Sequence, residues 1–257
     1  MNEWKKRNVR ERERKIRQLE QTVTALSNRL SGSDIYEKMD YISFENQFRG
    51  SREHVKEMQR AYVPYFAGKK QVVELGSGRG EFMELLKEHE IPAVGVDISE
   101  PLVRMCEERG LNVVCKDALS FVRELQHADG IFASQLIEHI PFADVIELCR
   151  LCYEKLEDGA YMILETPNPM SLAIFTHSFY IDPSHVKPVH PFTLKYIAEK
   201  AGFREVELLF TEGSRFPVQI PALDMGEAAH TEEFNNSMKR VENALFGSQD
   251  YALIARK

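Results

Sequence analysis

Gly76, Gly78 and Gly80 alternate with other residues in Val72-Val73-Glu74-Leu75-Gly76-Ser77-Gly78-Arg79-Gly80-Glu81-Phe82. A glycine turn lets a ligand approach bare backbone that a Cβ would obstruct. The N-terminus of a following helix offers unpaired N–H groups and a positive dipole end. About twenty residues on, Asp97 ends a second apolar run, where an acid is placed to hold ribose hydroxyls. Asp117 ends a third run. Further along, the imidazoles of His139, His185 and His190 can accept a proton near neutral pH. Tyr180 and Asp182 can orient them. These residue types suit a nucleoside-bearing ligand lying beside proton-transfer chemistry.

Positioning such groups takes strand tips. The run 72–75 is β-branched and leads through the turn into an amphipathic stretch (Phe82, Leu85, Leu86), which reads as strand, turn, helix. Further strands are predicted at 93–98, 112–118, 130–134 and 160–164, with helices between them, so the sheet is parallel and covered on both faces. Residues 52–66 read as a helix ending near Pro64, and 193–201 as one stopped by Gly202. Two closing strands, 204–210 and 251–255, suggest an antiparallel hairpin. Segment 168–192 has little periodicity, several prolines and three histidines, which marks a lid or binding loop. Ligands of doubly wound sheets bind outside the carboxyl ends of the strands. The turns at 76–80, 97–98, 117–118, 135–139 and 165–169 all fall at such ends.

Composition narrows the function classes. The 257 residues allow one sizeable domain plus an appendage, and 43% hydrophobic residues support a real core. Residues 1–30 hold nine Lys or Arg against four Glu, a balance of +5; the total is −7, so the remainder carries −12. An acidic body offers no broad basic surface for nucleic acid. No stretch is long and apolar enough to span a bilayer, and the charged N-terminus lacks a secretion signal's apolar core. Four cysteines in a chain of this size make no disulfide scaffold, and Cys149-x-x-Cys152 has no second pair, so packing is the simpler reading than zinc or redox chemistry. The expected compartment is the cytosol.

Three regions follow: 1–30, 31–70 and 71–257. In the first, Val9, Ile16, Val23 and Leu30 share one heptad position and Arg12, Leu19 and Leu26 the other, a pattern for a parallel two-stranded coiled coil. A lone amphipathic helix packed on the body is the alternative. The basic cluster from Lys5 to Arg17 could also rest on anionic lipid, giving at most peripheral membrane contact, although the narrow apolar face favours a partner helix and hence a homo-oligomer. After the Ser31-Gly32-Ser33 hinge, the aromatic-rich stretch 34–51 reads as a short helix and loop capping the ligand pocket. Arg49 is either a surface ion pair or a two-pronged grip on a carboxylate.

The glycine turn with acids after the second and third strands resembles the S-adenosylmethionine (SAM) pocket of class I methyltransferases. The fold implied is α/β, a doubly wound seven-stranded Rossmann-like sheet. The cofactor implied is SAM, with contacts from Arg49, Glu74, Gly76, Ser77, Gly78, Gly80, Asp97, Ile98, Asp117, Ala118 and Gln135. Methyl transfer from a sulfonium is an in-line displacement in which alignment does most of the work, and an alcohol acceptor also needs a base. His139, just after strand four, is the first candidate; a structural histidine capping the turn is the alternative. His185 and His190 follow, then Tyr180. Glu138-His139 also resembles the Glu-x-x-Glu-His of metal-assisted methyltransferases, yet Gln135 holds the first position, and a neutral amide is a poor ligand for a hard cation. No metal is expected.

More specific are Phe48-Arg49-Gly50-Ser51 within 41–51, Glu165-Thr166-Pro167-Asn168-Pro169, Asp182-Pro183-Ser184-His185 within 179–185, and 245–251. These resemble the methyltransferases of bacterial surface-polysaccharide assembly, including the methyltransferase part of O-antigen chain-terminating kinase–methyltransferases. The resemblance spans roughly 34–257. It implies a glycan or lipid-linked saccharide acceptor, methylated on a sugar hydroxyl or a terminal phosphate. With no kinase segment in this sequence, the sugar hydroxyl is favoured. It further implies a glycosyltransferase partner and an assembly at the inner face of the membrane. Methylation of a small aromatic or isoprenoid metabolite, and a non-catalytic scaffold of the same fold, are the alternatives.

Overall fold

A computed structural model describes residues 39–224 and 230–257, together with Lys15. The coiled coil expected over 4–30 and the opening of the cap, 31–38, lie outside the described residues apart from that lysine.

The continuous described stretch opens with α1 (Tyr41–Phe48), capped where the Asp40 side chain accepts from the Ser43 N–H. Helix α2 (Arg52–Gln59) is capped in the same way by Ser51. The helix expected to run through 52–66 tightens to a 3₁₀ turn at Arg60–Phe66, with Pro64 inside it. Proline donates no backbone N–H, and its ring disfavours a regular helix there. Then come β1 (Val72–Leu75), α3 (Glu81–Glu88), β2 (Ala93–Asp97), α4 (Glu100–Glu108), β3 (Val113–Cys115), α5 (Ala118–Glu124), β4 (Ala128–Ser134), α6 (Phe142–Lys155) and β5 (Leu156–Pro167). The last elements are α7 (Ala173–His177), α8 (Pro191–Ala201), β6 (Glu205–Phe210), α9 (Thr231–Phe246) and β7 (Asp250–Arg256).

The sheet has seven strands in the order β3-β2-β1-β4-β5-β7-β6. β1 to β5 run parallel, and β7 is antiparallel to both β5 and β6. The expected closing hairpin is present, although β7 rather than β6 sits beside β5. β5 outruns its predicted span at both ends: Leu156 pairs with Ala128 of β4, and β7 pairs with β5 from Tyr161 opposite Arg256 to Pro167 opposite Asp250. β3 falls short of 118, since Asp117 leaves the strand to cap α5, accepting from the Ser120 N–H at 2.8 Å.

Both faces of the sheet are covered, as a parallel sheet requires. One core packs Leu119, Val122, Val145, Leu148, Leu194 and Ile197 of α5, α6 and α8 against Val73, Leu75, Ile131 and Leu164. Cys149 and Cys152 are fully buried in this core, where they act as small apolar side chains. The other core is aromatic: Tyr62, Phe66, Phe82 and Phe132 meet beneath β1 and β4, with Phe82 and Phe132 rings 3.8 Å apart. Each such ring contributes about 1.5–3 kcal/mol by burial. Two details depart from expectation. Segment 168–192 contains the short helix α7, and α9 arises in a region the sequence pattern left unread.

Candidate active site

Strand register decides which residues meet. Leu75 lies level with Val96 on one side and Ala133 on the other, so Gly76, Asp97 and Ser134 emerge at one edge. There they border a cavity of about 460 Å³. The wall opposite the strand tips comes from α1, α2 and the segment 177–185.

Backbone hydrogen bonds shape the glycine turn. The Gly76 and Ser77 N–H groups both donate to the Val96 carbonyl, at 2.8 and 3.0 Å. Gly78 donates its N–H to Asp97 Oδ2 at 2.8 Å, and Ser99 donates to Asp97 Oδ1 at 2.8 Å. Burial pushes the Asp97 carboxyl up to about 6 against the pull of those two donors. A Cβ on Gly78 would stand 3.2 Å from Arg49 Nη1, so the guanidinium lies over the turn. Arg49 is ion-paired with Glu45 at 2.9 Å, in the cavity wall rather than on the outer surface.

Of the positions the methyltransferase resemblance assigned to the cofactor, Arg49, Gly76, Gly78, Asp97, Ile98, Asp117, Ala118 and Gln135 border the cavity; Glu74, Ser77 and Gly80 do not. Glu74 is buried one step below the strand tip, and desolvation holds its carboxyl well above the ordinary range. Ser77 points under the turn, where a Cβ on Gly95 would meet its Oγ at 2.4 Å. Gly80 has φ +78°, and a Cβ there would lie 2.7 Å from Leu111 Cδ1 and 2.8 Å from Cys106 Sγ. Its missing side chain lets the start of α3 pack near the end of α4, a role separate from the ligand.

The other end of the cavity is polar. Gln135 takes the left-handed conformation at φ +55°, unusual for a residue with a Cβ. Its N–H donates to the Glu165 carbonyl and its Nε2 to Asp250 Oδ1 at 3.0 Å. Glu165 accepts from Ser134 Oγ at 2.7 Å and from the buried Tyr62 hydroxyl. Burial, with the neighbouring Glu165 charge, pushes Asp250 up to about 7. Glu165 and Asp250 were not assigned as site residues from the sequence, although both lie in the stretches that carry the polysaccharide-group resemblance. Asp250 reaches this edge because β7 runs antiparallel, so its first residue stands among the last residues of the parallel strands.

His139 and His185 border the cavity with ring centroids 4.5 Å apart. His139 Nδ1 lies 2.8 Å from Ser184 Oγ, and His185 Nδ1 lies 2.7 Å from the Phe179 carbonyl oxygen. Burial and the neighbouring His185 push His139 down to about 3, so it is neutral. Asp182 accepts from the Tyr41 hydroxyl at 2.6 Å and from Ser184 Oγ at 2.5 Å, and so reaches His139 through Ser184. Two candidates fall away. His190 caps α8, its Nδ1 accepting from the Phe192 N–H, and Tyr180 is 72% exposed on the outside; neither borders the cavity. Glu138 is fully buried behind His139, accepts from Thr166 Oγ1 at 2.8 Å and is pushed up to about 8 by burial. One ligating atom from each of Glu138, His139 and His185 lies within 4.8 Å of the other two.

The strand order, the glycine turn and the carboxylate gripped beside it define a SAM-dependent methyltransferase. A family description, "Methyltransferase domain", matches residues 40–208, and the chain belongs to that family. It is 42% identical to a SAM-dependent methyltransferase from Archaeoglobus fulgidus, covering 85% of this chain and 100% of that one with a TM-score of 0.80. The plantazolicin methyltransferase BpumL, solved with SAH, shares the fold at a TM-score of 0.57 and 14% identity over 93% of this chain and 99% of its own. Among curated proteins, a ubiquinone biosynthesis O-methyltransferase of Coxiella burnetii is 26% identical over 155 residues, 54% of this chain. The match spans 65% of that relative's length. No helix among the described residues is long and apolar enough to cross a membrane.

Proposed function

We propose that the chain moves the methyl group of SAM to a hydroxyl of a bacterial surface glycan. The strand tips would seat SAM through the residues that border the cavity there. Asp97 accepts from the ribose hydroxyls, Ile98 and Ala118 flank the adenine, and Arg49 faces the amino-acid carboxylate beside Gly76 and Gly78. Bound there, SAM would supply an electrophilic methyl, and the His139–His185 wall would receive the acceptor's O–H proton as the methyl passes from sulfur to oxygen.

The observation that supports a sugar is the hydrogen-bonding wall of Ser134, Gln135, Glu165 and Asp250 at the far end of the cavity. Several fixed acceptors and an amide suit a polyol, and a site built for hydroxyls discriminates strongly against analogues lacking them. A second reading, O-methylation of a phenolic metabolite, is favoured by the Coxiella relative and by the apolar side chains of Phe44, Phe48 and Ile181 along the same cavity.

Methyl transfer from labelled SAM, offered in parallel to lipid-linked saccharides and to free catechols, tests the two. Transfer to saccharides alone supports the glycan, and turnover of catechols alone replaces it with the phenol. His139→Ala is expected to lower transfer by about 10²–10⁴-fold with SAM affinity kept.

A further inference from the structure

Proton bookkeeping around the two histidines leaves one nitrogen of each without a hydrogen. The Phe179 carbonyl can only accept, so His185 carries its proton on Nδ1 and its Nε2 is a lone pair. Ser184 Oγ lies 2.5 Å from Asp182 Oδ1 and gives its own proton to that carboxylate. It therefore accepts from His139 Nδ1, and His139 Nε2 is a lone pair too. Behind the pair stands Glu138, 0% exposed, whose Oε2 is satisfied by Thr166 while Oε1 has no hydrogen-bond partner. One ligating atom from each of the three residues lies within 4.8 Å of the other two. A buried polar atom left unpartnered is costly, and such a set is satisfied by a cation.

We propose that Glu138, His139 and His185 hold one divalent first-row transition ion at the acceptor end of the cavity. The donor set is two imidazoles and one carboxylate, which suits Zn²⁺, Co²⁺ or Mn²⁺ better than the all-oxygen preference of Mg²⁺ or Ca²⁺. Each ligand is already oriented by a second group: Ser184 with Asp182 on His139, the Phe179 carbonyl on His185, Thr166 on Glu138. Metal-binding histidines are held in this way, and the arrangement fixes which nitrogen is free. Ligating atoms within 4.8 Å of one another need only a sub-ångström contraction to share an ion at about 2.0–2.2 Å each. Glu138 approaches from behind while the histidines face the cavity, so the ion keeps an open side toward the acceptor. An ion so placed would lower the pKa of a bound hydroxyl and, by occupying both imidazole lone pairs, would take over from the histidines the task of activating it.

The amide of Gln135 turns away to Asp250, and a histidine from the segment after α7 replaces it. A metal held here would run against the sequence expectation of no metal, which rested on Gln135 alone. What the ion does rests on the O-methyltransferase reading; that it binds does not.

Titrating the chelator-stripped full chain with Co²⁺, followed by visible d–d absorption, and with Zn²⁺ by calorimetry tests the binding directly. One saturable site is expected, weakened at least about tenfold in His185→Ala and Glu138→Gln, and by a comparable factor in Ser184→Ala, which leaves the ligands in place. Circular dichroism confirms that the variants are folded. Absence of saturable binding to the wild type, or variants that bind like it, overturns the site. Binding without methylation of any acceptor leaves the site standing and removes the function reading; methylation without binding removes the site alone.

Discussion

Arg79 Nε lies 2.7 Å from Glu81 Oε1, and both side chains are 2% exposed. The same guanidinium donates from Nη1 to the Asn46 side chain at 3.2 Å and to the Gly50 carbonyl at 3.1 Å. In return, the Arg79 carbonyl accepts from Arg52 and from Arg109. One residue inside the glycine turn thereby fastens it to the cap formed by α1 and α2, the wall that carries Arg49. Removing Arg79 leaves the buried Glu81 only the more distant Arg52, at 3.7 Å, and breaking a buried pair costs about 3–5 kcal/mol. Arg79→Met is expected to lower Tm by roughly 10 °C and to weaken SAM binding with it. Adding Glu81→Gln should restore part of the loss in the same thermal melt.

Asp97 gives a pH dependence whose sign is fixed by its surroundings. Burial raises its carboxyl to about 6, so below that pH the free protein holds it protonated. A protonated acid loses acceptor capacity toward two ribose hydroxyls, and ligand binding must release the proton first. Calorimetry of SAM binding between pH 5 and 8 should show a flat Kd above about 6.5 and a rise approaching tenfold per pH unit below 6. Asp97→Asn should bind weakly at every pH and lose that slope.

The parallel sheet, the closing hairpin and the edge that carries the site were legible because hydrophobic runs, glycines and strand-end acids are local signals. The residues that close the acceptor end were harder to read. Asp250 comes to the cavity only through the antiparallel pairing of β7, and His185 only through the irregular path after α7. Neither path is written in a spacing. Glu74, Ser77 and Gly80 lie off the cavity for the opposite reason: they belong to the motif, but strand alternation and the left-handed turn direct them into the body.

The two glycines of the turn should separate by experiment. Gly80→Ala puts a methyl group at φ +78°, 2.7 Å from Leu111 Cδ1, so stability should fall by about 1–3 kcal/mol from overpacking in addition to about 1 from the left-handed backbone. Gly78→Ala, at φ +50°, meets the movable ends of Arg49, at 3.2 Å, and Glu45, at 3.8 Å. Its loss in urea unfolding should stay near about 1 kcal/mol, while SAM affinity should suffer more than in Gly80→Ala.

Asp250 offers the clearest division between stability and function. Its carboxyl is raised to about 7 by burial and by Glu165, whereas in the unfolded chain it ionises near 4. Folding is therefore disfavoured progressively as pH rises from about 4 to 7, and the full penalty applies above 7. Asp250→Asn removes that charge and keeps an oxygen to accept from Gln135 Nε2. The variant should match the wild type in urea unfolding at pH 4, exceed it by at least about 1 kcal/mol at pH 8, and still bind SAM. Its acceptor KM should rise, because a neutral amide presents one acceptor oxygen where the carboxylate presented two. A variant no more stable at pH 8 would mean that Asp250 and Glu165 do not oppose each other, and the polar wall would lose its acidic character.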